Sequence, residues 1–112
     1  MLSWSSNATG DRVDLTAVAE GRSGVGIDHD ATLVRFATAC GRLDDAELDA
    51  ARTALVDDTD EAFMIDAAAV AANFEMMTRL ADATGATMPP DRIEQAASAI
   101  GAMGVAHLTS RR

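Results

Sequence analysis

The sequence predicts an all-α fold, a small bundle of about five helices built around one long central helix. Three observations carry this. Apolar residues recur at spacings of three and four, and no segment alternates with period two between turn residues. Helix-start and helix-stop residues punctuate the apolar runs. Hydrophobic residues make up 48% of the chain, many of them alanine, and only 4% is aromatic, so helices with thin side chains must approach closely or bury area against another subunit. At 112 residues the chain is near the common size for one hydrophobic core. We expect residues 13–106 to form a single helical domain, 1–12 a flexible lead-in and 107–112 a frayed tail.

The elements follow in order. Asp11 or Asp14 caps a short first helix, VDLTAVAEG, which stops at Gly21. The glycine-spaced GRSGVGID, residues 21–28, is a loop. No strand precedes its glycines and no Lys-Ser/Thr follows them, so it lacks the context of a phosphate cradle. A second helix is expected from His29 to Cys40, with Leu33, Phe36 (or Ala37) and Cys40 on one side and Gly41 at its end. Asp44 followed by Glu47 forms an aspartate version of the capping box and opens a third helix, whose Leu48, Ala51 and Leu55 face inward.

The fourth helix is the longest, about Asp60 to Thr84, opened by Asp58 or Thr59 and closed by Gly85. Its Phe63, Ala67, Val70, Phe74, Met77, Ala81 and Thr84 are separated alternately by four and three residues, a continuous apolar seam expected to serve packing, widened by Met64 and Leu80. Met88-Pro89-Pro90 breaks the chain. Asp91 with Glu94 repeats the capping box and starts a last helix with Ile93, Ala97, Ile100 and Met103 facing inward.

Charge and cysteine usage exclude several functions. The formal net charge is −9 and all nine basic residues are arginine, with no cluster to neutralise a phosphate backbone, so neither nucleic acid nor an anionic membrane is an expected partner. No apolar window is long enough to span a bilayer, and MLSWSSNATGDR lacks the pattern of a secretory signal. The single Cys40 allows no internal disulfide, which suits a reducing compartment, and the expected location is the cytoplasm.

Candidate chemistry is sparse. The long helix carries Asn73, Glu75, Arg79 and Asp82. The last three lie on one face and can exchange ion pairs that stabilise an exposed helix, each by roughly 0.2–0.5 kcal/mol. Asn73, Arg79 and Asp82 are the candidate polar set, either structural or lining a small-molecule pocket with Arg79 as its cation. Asp28-His29-Asp30 offers three metal-capable side chains, but consecutive residues rarely converge on one ion, and a helix cap with a first-turn carboxylate is the expected use. No metal and no cofactor is expected. Cys40 reads as a small buried hydrophobe, too far along its helix from His29 to be activated by it.

The stretch AAVAANFEMMTRLADATG resembles the "VAxFNxxNRxADATG" segment of the carboxymuconolactone decarboxylase and alkylhydroperoxidase D-like superfamily, with matches at Val70, Asn73, Phe74, Arg79, Ala81, Asp82 and Gly85. DLTAVAEGRS and DATLVRFATACGRLDDAELDAARTAL resemble the helix end and helix pair that precede it, so the similarity covers roughly residues 13–104. It implies an alkylhydroperoxidase D-like helical fold and an oligomer. Redox chemistry in that family rests on a CxxC pair and a following histidine, upstream of the segment that aligns with Val13. MLSWSSNATGDR contains neither cysteine nor histidine. One thiol attacks peroxide and a second resolves the sulfenic acid, so a chain with Cys40 alone is not expected to be a thiol peroxidase. The expectation is a non-catalytic or truncated relative whose apolar seam docks on a second copy of itself or on a full-length paralogue. The alternative is a cysteine-independent enzyme of the decarboxylase type.

Overall fold

The computed structural model describes residues 13–106, which form five helices and, among the described residues, no strand. They are α1 (Leu15–Ala19), α2 (Asp30–Arg42), α3 (Asp45–Asp58), α4 (Glu61–Thr84) and α5 (Pro90–Met103). The all-α class and the dominant fourth helix agree with the sequence. The expected lead-in 1–12 and tail 107–112, His107 included, lie outside the described residues.

The core is small and is made by the α2–α3 hairpin. Phe36 and Ala39 of α2 meet Ala51 and Leu55 of α3, all at most 3% exposed. Leu33, Cys40 and Leu48 border this cluster, with Met64, Ala67 and Ala68 of α4. So α4 lies across both hairpin helices and covers them with a stripe of small residues and one methionine. The fifth helix packs chiefly on α1, where the Thr16 hydroxyl donates to the Ala102 carbonyl at 3.4 Å. The described helices therefore fall into a group of three, α2 to α4, and a pair, α1 with α5.

Helix ends show where local chemistry decided the boundaries. Asp14 caps α1 by accepting from the Thr16 and Ala17 amides at 2.9 and 3.1 Å. Asp60, not Asp58 or Thr59, caps α4 by accepting from the Phe63 amide at 2.7 Å. Asp58 remains in the last turn of α3 and is used by α2. Gly85 closes α4 with φ 69°, as expected.

Three expectations are corrected. The second helix begins at Asp30, runs through Gly41 to Arg42 and is capped by Leu43, which takes the left-handed conformation (φ 55°) that glycine would adopt without strain. Only the Asp44 half of the α3 capping box forms. Its carboxylate accepts from the Glu47 amide at 3.1 Å, while the Glu47 carboxylate turns away to Arg35. The last helix starts one residue before Asp91, with Pro90, whose fixed φ suits the first helical position, in its first turn, and with no side-chain cap, because the cap residue is Pro89, which has no side-chain acceptor. Its Ile100 and Met103 are half-buried, whereas Ile93 and Ala97 are exposed.

The 21–28 loop has a packing role that its glycines conceal. Val25 is 2% exposed, its carbonyl accepts from the Asp14 amide at 2.8 Å, and Asp30 accepts from the Gly24 and Val25 amides at 2.8 and 2.7 Å. The first-turn carboxylate of α2 thus folds the loop back onto α1.

Candidate functional site

The feature that departs most from an ordinary domain is the face of α4. The seam read from sequence is not inside. Phe63, Val70, Phe74, Met77 and Leu80 are 37, 57, 45, 50 and 61% exposed, and no residue of α4 is buried. The physical cause is geometric. The α2–α3 hairpin is only two helices wide and takes Ala67 of the seam with the adjoining Met64 and Ala68, while α5 folds onto α1 instead of closing over α4. Among the described residues, only the flank of the seam nearest the hairpin is covered.

The exposed stripe is also nearly uncharged. In a chain of net charge −9, the residues of the seam and its outer flank from Phe63 to Thr84 include one ionisable group, Asp66. The charges of α4 otherwise sit elsewhere on the helix. Apolar surface kept free of charge in an acidic chain marks a contact face.

The candidate polar set is not brought to one place. Asn73 and Asp82 are nine residues apart, about two and a half turns, so they project from opposite sides of α4. Asn73 is exposed beside the seam, with its amide nitrogen 3.7 Å from the Met77 sulfur. Arg79 faces another way and pairs with Glu75 at 3.7 Å, the i,i+4 contact its spacing allows. None of the three lines either of the two clefts described next.

The first cleft, about 390 Å³, lies between the α1 end and the α2–α3 hairpin and includes Glu20, Arg35, Arg42, Asp44 and Glu47. Two of its carboxylates are engaged locally, Asp44 by the Glu47 amide and Glu47 by Arg35. Arg35 donates twice to Glu47, at 2.7 and 3.2 Å, which holds the Glu47 carboxyl below its usual range and raises the Arg35 guanidinium further above its own. The second, about 240 Å³, is an open groove between α2 and α4 lined by Ala37, Cys40, Gly41, Ala71, Phe74, Glu75 and Thr78. Cys40 is half-buried there with no histidine in the lining. His29 lies eleven residues earlier, at the N-cap of the same helix, roughly 16 Å away along its axis.

The Asp28-His29-Asp30 run divides its labour. Asp30 ties the loop, and His29 turns to the end of α3. There the Asp58 carboxylate accepts from the Thr32 hydroxyl at 2.6 Å and meets His29 Nδ1 at 3.2 Å, while the imidazole stacks edge-on against Phe63 at 5.8 Å. The Thr32 hydrogen bond, and then His29, hold the Asp58 carboxyl below its usual range. Among the described residues no three His, Cys, Asp or Glu side chains group as metal ligands, and no helix is long and apolar enough to cross a membrane.

No family model, curated protein or solved structure matches this chain.

Proposed function

We propose that this chain is a non-catalytic helical domain that works by association, docking the seam of α4 onto a second copy of itself. The exposed run Phe63, Val70, Phe74 and Met77 carries the proposal, because it repeats every three and four residues over almost the whole of α4 and is left largely open by the described residues, His29 reaching only Phe63. The chemistry of the clefts agrees. Glu47 is consumed by Arg35 and Asp58 by Thr32 and His29, and the lone thiol lines a groove without a proton-accepting imidazole. The kinship proposed is with the carboxymuconolactone decarboxylase and alkylhydroperoxidase D-like proteins. It rests on the matched residues from Val70 to Gly85 and on the order of the helices that precede them.

The test is to place charge in the seam. Phe74→Asp combined with Met77→Asp replaces two exposed side chains, so it leaves the monomer folded by circular dichroism and abolishes association. A double variant that keeps the solution mass of the unaltered protein overturns the proposal.

A further inference from the structure

The seam also specifies how two copies meet. Written as a heptad, Ala67, Phe74 and Ala81 occupy the first core position of each repeat and Phe63, Val70, Met77 and Thr84 the second. The geometry points to an antiparallel pair of α4 helices, centred on Ala72, in which each large seam residue meets a smaller one of the partner copy. This arrangement rests on the self-association proposed above and adds its direction and register.

The pairing follows from volume. In antiparallel helices the two core positions face each other, and with the two-fold axis at Ala72 the core layers are Phe63 against Ala81, Ala67 (half-buried against the hairpin in each copy) against Met77, and Val70 against Phe74, each occurring twice, with Thr84 opposite Asp60 at either end. Every layer then combines one bulky and one lesser side chain, as level packing requires. A parallel pair sets Phe74 on Phe74 but Ala67 on Ala67 and Ala81 on Ala81, bulging at one layer and hollow at two. Sliding the antiparallel pair by one heptad toward the N-termini sets Met77 against Asp60, and sliding it the other way leaves Phe63 opposite Met88 beyond the helix end.

Charge agrees with this register. The outer flank consists of Asp66, Asn73 and Leu80, and antiparallel helices bring such flanking positions together in pairs. Asp66 then faces Leu80 of the other copy rather than another carboxylate. Asn73 meets its own counterpart at the axis, where an amide can both donate and accept. Only these neutral or unlike pairs arise, although the chain holds 18 acidic residues.

The area is that of a weak, reversible contact. Taking roughly 150–200 Å² for each large apolar side chain, the exposed parts of Phe63, Val70, Phe74, Met77 and Leu80 offer on the order of 400 Å² per copy, about half of the ~800 Å² each partner contributes to a standard interface. Asp66, Asn73, Ala81 and Thr84 flank or continue the strip and enlarge it.

Spin labels decide the direction. Ala69 and Ala83 are both exposed and share one heptad position, so Ala69→Cys and Ala83→Cys, each in a Cys40→Ala background, carry the label at equal lateral distance from the seam. At 1.5 Å per residue, the antiparallel pair separates the two Ala83 sites by about 33 Å along the axis and the two Ala69 sites by about 9 Å. The expected result is a label-to-label distance clearly longer for Ala83 than for Ala69. Equal distances at the two positions in a chain of dimeric mass overturn the antiparallel register and leave self-association standing. A monomeric mass with no dipolar coupling overturns both.

Discussion

Arg35 of α2 grips Glu47 of α3 through two hydrogen bonds, 2.7 and 3.2 Å long, and so pins the hairpin that holds the core. Asp58, held by Thr32 and His29, pins the same two helices at the other end. Both carboxyls are shifted below their usual range, Glu47 chiefly by the Arg35 hydrogen bond and Asp58 chiefly by that of Thr32. A carboxyl whose pKa is lower folded than unfolded contributes stability that is complete above the unfolded value, about 4, and is lost as pH falls through the folded value. The melting temperature is therefore expected to decline as pH drops below about 4. In Glu47→Gln combined with Asp58→Asn that decline becomes shallower and starts from a lower neutral plateau. Thermal melts from pH 7 to the acid limit check this, and acid limbs that run parallel in the two proteins contradict it.

Leu43 is strained and exposed. It sits at φ 55° with 82% of its surface open, at the end of a helix that ran past Gly41. Leu43→Gly removes the left-handed penalty and is expected to stabilise the fold by up to about 1 kcal/mol, less than the full penalty because glycine also loosens the unfolded chain. Urea unfolding measures it, and a destabilised variant shows that the Leu43 side chain has a contact worth more than the strain.

Core and seam should respond oppositely to truncation. Leu55 is fully buried among Phe36, Ala39 and Ala51, so Leu55→Ala is expected to cost about 2–5 kcal/mol. Val70→Ala, in dilute protein where the chain is monomeric, should stay within about 0.5 kcal/mol, since it removes surface already in water. Equal losses at the two positions would place Val70 inside the monomer.

These contrasts explain what could be read from sequence. The helix order, Asp14 and Asp44 as caps, Gly85 as the stop of α4 and the buried faces of α2 and α3 were legible because each depends on residues a few positions apart. Buried Val25 was not, since it is held by Asp14 and by Asp30 across a loop that periodicity does not describe. The α4 seam was recognised as apolar, but periodicity shows only that a stripe wants cover, not which chain supplies it. Asn73, Arg79 and Asp82 looked like a set because they are close along the chain, and the turn of the helix sends Asn73 to a different side from the other two.

Cys40 gives a chemical prediction. With hydrogen peroxide and a dithiol donor, peroxide should disappear at the rate of the dithiol alone, because no proton-accepting imidazole lines the Cys40 groove to assist attack on peroxide. Peroxide consumption above that rate, lost in Cys40→Ser, would mean that Cys40 reduces peroxide and that its sulfenic acid is returned to the thiol by the donor or by the thiol of a second copy.

The most direct measurement is the mass of the unaltered protein in solution. Sedimentation equilibrium across the micromolar range is predicted to give twice the 11.7 kDa of a single chain, falling toward one chain only on dilution. A mass of 11.7 kDa throughout that range would leave the α4 seam without the partner on which the account depends.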